Sequence, residues 1–190
     1  MQEIKTLKNK HNNSYKWFAI YTKSRCEKKL AEQLKTAGII AFLPLYSTVK
    51  QWSDRKKKVV EPLIRQIVFI QVEEGKLNEI YSFPHANGIV KEFGKPAVIK
   101  DHEIKTLEII AREWSGETIS TSSQATFEVG DNVSIERGPF TGLTGQLIEK
   151  NGKHRLVVKL QTLNVEFTIN IAKSHTKKCK VAHENEAVIL

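Results

Sequence analysis

One tryptophan of this chain sits in a dense cluster of positive charge. Lys50, Arg55, Lys56, Lys57 and Lys58 surround Trp52 in the run KQWSDRKKK. Ammonium and guanidinium groups neutralise phosphates, and an indole face offers a platform to a nucleobase. A second basic group, Lys23, Arg25, Lys28 and Lys29, lies where a helix is expected to begin, and it also suits phosphate. Lysine-rich tips also keep exposed strands soluble, so the residues leave both readings open. Covalent chemistry has no comparable nucleus. The chain contains no Ser/His/Asp set, glycine-rich phosphate loop or zinc-spaced Cys/His pattern. His85, His102, His154 and His175 fall in different expected elements with no common spacing, as surface histidines do. Cys26 and Cys179 are isolated and read as free thiols of a reducing cytoplasm. The expectation is a binding protein without metal or cofactor, not an enzyme.

The charge is placed unevenly. Residues 1–60 hold 14 Lys/Arg against 4 Asp/Glu, whereas the remainder holds 16 against 17, so the formal net charge of +9 comes from the first third. A local basic surface points to nucleic acid or another acidic partner; a solvated face with a basic tail is the plainer alternative. No apolar run approaches the roughly 20 residues that span a bilayer, and Met1–Lys10 lacks the apolar centre of an export signal.

The elements that must position these residues follow from pattern. Residues 15–21 (YKWFAIY) are β-prone, with Trp17, Ala19 and Tyr21 on one face and Phe18 and Ile20 on the other, a central strand covered on both sides. Ser24 and Glu27 have capping-box spacing ahead of a helix carrying Cys26, Leu30, Leu34 and Ala37, which Gly38 ends. A strand over 39–46, interrupted by Pro44, leads into the basic tip. Residues 59–72 return as one strand, 76–83 form a short helix stopped by Pro84, and 89–93 form another strand. Asp101 opens a helix with Ile104, Leu107, Ile110 and Trp114 on one face.

Residues 116–126 (GETISTSSQAT) are rich in Ser and Thr and read as a linker. Beyond them the alternation is purely β: Leu156, Val158 and Leu160, then Val165, Phe167, Ile169 and Ile171. This segment opens with EVGDNV (128–133) and ERGPFTGLTG (136–145), in which Val133 and Ile135 alternate with polar residues, and Gly142 and Gly145 stand where a side chain would clash. Phe140 and Leu143 are apolar groups near a loop tip, a position that a partner or the core must cover.

That last pattern resembles a KOW module, and the order β-α-β-β-α-β-α, linker, KOW resembles the NusG-like transcription factors. The resemblance is carried by Trp17–Lys23, Phe42-Leu43-Pro44, Glu61–Ile64 leading into Val68-Phe69-Ile70, Asn87–Val90, and Phe93–Ala97. It spans roughly 15–181. The segment Lys50–Lys56 resembles the specialised, operon-associated members, of the RfaH and UpxY types. The resemblance implies an α+β fold: a ferredoxin-like sandwich (15–115), the flexible linker (116–126) and a small five-stranded SH3-like barrel (127–181), flanked by tails 1–14 and 182–190.

It also implies function. The first domain is expected to dock on the β′ clamp helices of RNA polymerase through Tyr21, Phe42, Leu43, Ile64, Ile67 and Phe69; the alternative, that these residues fill the sandwich core, weighs most for Ile67 and Phe69, and the interface is favoured for Tyr21 and Ile64. Lys23, Arg25, Lys28, Lys29, Trp52, Arg55, Lys56 and Lys57 are expected to meet upstream or non-template DNA. Phe140 and Leu143 are the candidate partner contacts of the KOW module, with ribosomal protein S10 or Rho as possible partners. The polar turn by which RfaH-like members touch the polymerase gate loop has no match near Glu79–Ser82. β-Branched residues at Val157, Val158, Val165 and Ile169 favour a barrel over a helical resting form. The implied activity is processive elongation or antitermination by a cytoplasmic monomer. A general factor acting with Rho in termination, and a KOW-containing ribosome- or RNA-binding protein, are the alternatives.

Overall fold

The computed structural model describes residues 15–52, 54–114, 130–150, 153–171 and 173–178. The proposed linker 116–126, both tails and Cys179 lie outside them. Two compact units form: one from the described residues of Met1–Pro44 and Ile64–Asp101, the other from those of Leu45–Leu63 and His102–Leu190.

In the first unit, β1 (Tyr15–Thr22) leads into α1 (Glu27–Thr36) and β2 (Ile40–Phe42). The chain leaves the unit for a hairpin, β3 (Leu45–Gln51) and β4 (Lys56–Pro62), and returns as β5 (Ile67–Glu73). A 3-10 helix (Glu74–Ser82), β6 (Ala86–Ile89), β7 (Lys91–Glu92), β8 (Lys95–Pro96) and β9 (Val98–Ile99) complete it. The main sheet runs β2-β5-β1-β6, and β9 also pairs with β1. β1 is therefore central. The β1–β5 register pairs Phe18 with Ile70, Ile20 with Val68, Ala19 with Phe69 and Tyr21 with Ile67. Directly opposed residues share a face, so register alone sorts the sheet into two sides.

One side carries the core. Phe18, Ile20, Val68, Ile70 and Val72 pack with Leu30, Ala31 and Leu34 of α1 and with Leu77 and Ile80 of the 3-10 helix. Each large side chain closed off there contributes about 1.5–3 kcal/mol. α1 ends in a Schellman motif: the Ile39 N–H donates to the Leu34 carbonyl (2.9 Å) and the Gly38 N–H to that of Lys35 (3.0 Å), and Ile39 packs on the same core.

Several expected boundaries move. Ser24 does not cap α1; Cys26 is the N-cap and makes no side-chain cap bond. The strand expected over 39–46 divides at Pro44 between two sheets, and the strand expected over 59–72 divides at 63–66. The strand expected over 89–93 divides at Val90 between β6 and β7, and Phe93 lies in a turn.

The second unit contains the hairpin, α2 (Asp101–Glu113, from His102 on) and a five-stranded antiparallel sheet. Its strands are β10 (Asn132–Ile135), β11 (Thr144–Lys150), β12 (Lys153–Leu160), β13 (Val165–Asn170) and β14 (Thr176–Lys178), in the order β13-β12-β11-β10-β14. Alternation places Val133, Ile135, Leu156, Val158, Leu160, Phe167 and Ile169 inside. A Cβ on Gly145 would lie 2.3 Å from the Val157 carbonyl oxygen, so only glycine permits this approach of β11 to β12. Ile104, Leu107, Ile110 and Trp114 are buried along one face of α2. Glu103 is buried beside them, and its two carboxylate oxygens accept from the Thr162 N–H (3.1 Å) and hydroxyl (2.7 Å), which satisfies a polar group that burial would otherwise penalise. Among the described residues no helix is long and apolar enough to cross a membrane, and no cluster of three or more His, Cys, Asp or Glu could hold a metal.

Candidate functional site

The second side of the main sheet is built differently from the first. It carries Trp17, Ala19 and Tyr21 of β1, Ile67 and Phe69 of β5, and Phe42 of β2, which the register sets opposite Phe69. Phe42 stands edge-on to Trp17 (ring centroids 6.4 Å apart) and 6.0 Å from Phe69. These spacings lie in the range of favourable aromatic pairs. Exposure is graded along this face. Phe69 and Ile67 are buried, Trp17 and Phe42 are half-buried, and Tyr21 is 45% exposed. On the β6 side Tyr21 faces Gly88, which brings no side chain of its own to the ring.

Leu43 departs from this group. It follows Phe42 on the strand and packs instead against the core on the α1 side. Ile64 is buried in the turn between β4 and β5. That turn is held in place by two bonds. The Thr22 N–H donates to the Gln66 carbonyl (2.9 Å), and the Gln66 N–H donates to Glu27 Oε1 (2.8 Å). Glu27, buried in the first turn of α1, therefore anchors the turn and does not reach back to a capping serine. Six expected contact residues thus separate into an aromatic face (Tyr21, Phe42, Ile67, Phe69), a core residue (Leu43) and a buried turn residue (Ile64).

Both expected basic groups are on the surface. Lys23, Arg25, Lys28 and Lys29 are exposed at the start of α1. Cations there oppose the helix dipole, a modest cost of about 0.3–1 kcal/mol each that a bound anion would reverse. In the β3–β4 hairpin, Lys50 lies directly opposite Lys57 and Gln51 opposite Lys56. Like charges in direct opposition destabilise a strand pair, although Lys50 also pairs with Glu61. Trp52 is 53% exposed at the tip, with its backbone N–H donating to the Arg55 carbonyl (2.8 Å) and Lys57 Nζ 5.8 Å from its ring centre. The geometry is that of an accessible aromatic surface framed by cations.

In the second sheet the two apolar loop residues separate. Leu143 is 1% exposed and belongs to the interior, while Phe140 is half-buried at the surface. Three residues of structural consequence are absent from the expected contact set: Glu27, expected to close a capping box; Trp17, expected on one face of the central strand; and Phe93, expected at the end of a strand.

Comparison with known proteins gives this geometry its context. Residues 15–108 match the family model described as transcription termination factor nusG. The transcription termination/antitermination protein NusG of Thermus thermophilus is 25% identical over 167 residues, covering 77% of this chain and 90% of that protein. The protein of the same name from Rickettsia felis is 21% identical over 184 residues, covering 90% and 94%. A solved structure on domain interaction in Thermotoga maritima NusG superimposes with a TM-score of 0.52 at 23% identity, covering 87% of this chain and 98% of that one, and shows a shared fold. Residues 15–108 are therefore a NusG-family domain, and the chain that carries them is a NusG-like transcription factor, acting by binding and not by catalysis.

Proposed function

We propose that this protein binds RNA polymerase at the β′ clamp helices and promotes processive elongation or antitermination. In this reading the first domain is a ferredoxin-like sandwich, the second a KOW barrel of SH3-like topology, and the Ser/Thr-rich residues 116–126 link them. The single observation that carries the reading is the aromatic face of the main sheet, which ends at the open ring of Tyr21. A half-exposed aromatic at the rim of an apolar surface loses free energy in water and recovers it in an interface, where aromatic anchors dominate the energetics.

The cations at the start of α1 and in the β3–β4 hairpin would lie along upstream or non-template DNA. Such contacts give affinity that falls with salt and little sequence information. Antitermination at particular operons rests on the resemblance of Lys50–Lys56 to the specialised members. Phe140 is the surface residue that a KOW partner such as ribosomal protein S10 or Rho would meet. The factor would act as a monomer in the cytoplasm.

The test is binding of the full chain to a purified β′ clamp-helix fragment, beside Tyr21→Ala. Micromolar or tighter binding that the variant loses, with unchanged melting temperature, is expected. A folded wild type that does not bind overturns the reading.

A further inference from the structure

Phe93 is 99% exposed. It also has left-handed backbone, with φ 48, followed by Gly94 at φ 80. These are the two central residues of the connection between β7 and β8, which pair Lys91 with Pro96 and Glu92 with Lys95. Positive φ at both central positions is the type I′ pattern of a two-residue hairpin, whose first position favours Asn or Gly. Left-handed backbone is costly for a residue with a bulky Cβ. The fold thus holds Phe93 in an unfavourable conformation and gains no burial from it.

The hairpin is an excursion from the sheet edge. β6 follows β1 up to Ile89, the Val90 N–H donates to the Ala19 carbonyl (2.8 Å), and the Ala97 N–H donates to the Val90 carbonyl (2.9 Å), closing the base. β9 then rejoins β1 opposite Phe18 and Trp17. Residues 91–96 project between these points, with Phe93 at the tip. Lys91 and Lys95 flank it, both exposed, with Glu92 the one acid of the hairpin.

We propose that Phe93 stacks on an unpaired nucleobase of a single-stranded nucleic acid, with Lys91 and Lys95 meeting the neighbouring phosphates. An apolar protein pocket is the poorer fit. Protein anchors sit within clusters of other contact residues, whereas this hairpin offers one aromatic ring between charged side chains. Base stacking needs only a free π face and nearby cations. The inference adds a contact to the DNA-binding part of the reading above. It makes no use of the clamp-helix contact, so bare oligonucleotides test it and the two ideas fail separately.

The experiment measures affinity of the full chain for labelled single-stranded DNA, single-stranded RNA and blunt duplex DNA at fixed salt, for wild type, Phe93→Asn and Phe93→Trp. Asn suits the turn, so Phe93→Asn should melt at or above the wild-type temperature. Its affinity for a single strand should fall at least about five-fold, within the range for loss of one stacked base, while Phe93→Trp retains affinity and duplex binding is unchanged. The DNA and RNA arms show which strand is preferred. Wild-type affinity in Phe93→Asn, no single-strand binding by the wild type, or an equal loss on duplex would each overturn the proposal. So would unaltered oligonucleotide binding combined with weaker binding to purified RNA polymerase, which would assign Phe93 to a protein pocket.

Discussion

The two sides of the main sheet use the same strands for opposite purposes. On the α1 side, Phe18, Ile20, Val68 and Ile70 are completely closed off. On the other, Ala19 and Phe69 are just as closed, yet the row runs out to the half-buried Trp17 and Phe42 and to Tyr21 in solvent. Alternation in β1 produces both rows, and alternation alone cannot distinguish them. What separates them is cover: α1 and the 3-10 helix pack on the first row, while at the end of the second Tyr21 faces Gly88, which has no side chain to lay against its ring.

The comparison breaks most readily at Phe18. Phe18→Ala removes a fully buried ring from the closed side and should cost about 3–5 kcal/mol of unfolding free energy, measured by urea denaturation. A loss below about 1 kcal/mol would mean that this side is not the structural one. Tyr21→Ala, three residues along, should do the reverse. Its unfolding free energy should stay within about 0.5 kcal/mol of wild type, as for most surface changes. Its affinity for the clamp-helix fragment should fall about 30-fold, equivalent to a hot-spot loss of about 2 kcal/mol. Similar stability losses for both variants would erase the distinction between the two sides.

A finer version uses adjacent residues. Phe42 belongs to the aromatic face and Leu43 to the core. Leu43→Ala should lower stability by about 2 kcal/mol, the low end for a large-to-small core change because the site is half-buried, and leave clamp-helix affinity per folded molecule unchanged. Phe42→Ala should weaken binding more than it weakens the fold. If the two variants behave alike, the face assignment at β2 is wrong.

Much of this arrangement was legible in the sequence. The central strand, the helix after it, the basic hairpin tip and the alternating rows of the second sheet all follow from periodicity and charge. The failures cluster where the chain takes left-handed backbone without glycine: Arg25 (φ 59), Gln66 (φ 59) and Phe93 (φ 48). Arg25 lies where a capping serine was expected to start α1. Gln66 splits one expected strand into β4 and β5, and Phe93, expected as the last residue of a strand, lies in a turn. Turn signals in a sequence are mostly Gly, Pro, Asn and Asp, so the left-handed Arg25 and Gln66 leave no compositional trace, and at Phe93 the trace is Gly94 one residue later. Tertiary contacts hold at least one of them, since Gln66 is fixed through its own N–H and carbonyl by Glu27 and Thr22. The split of the expected contact residues between face, core and turn was equally hidden, because it depends on where those turns fall.

The smallest expected effect concerns the Gln66 turn. Glu27→Ala removes the acceptor of the part-buried hydrogen bond from the Gln66 N–H and should cost about 1.5 kcal/mol, the low end for a hydrogen bond to a charged group. Glu27→Gln retains an acceptor oxygen at the same reach and should cost less than about 1 kcal/mol, the difference between a charged and a neutral acceptor. The pair sharpens the comparison between the faces because the turn joins them. It carries Ile64 and sets where β5 begins, and β5 places Ile67 beside Tyr21 on one side and Val68 beside Ile20 on the other. If Glu27 only stabilises α1, Ala and Gln will lower the melting temperature without altering clamp-helix affinity per folded molecule. If it positions the turn, Glu27→Ala will also weaken that affinity and Glu27→Gln will restore it. The second outcome is expected, since the Glu27 carboxylate makes its hydrogen bond to the turn and none to the backbone of its own helix start.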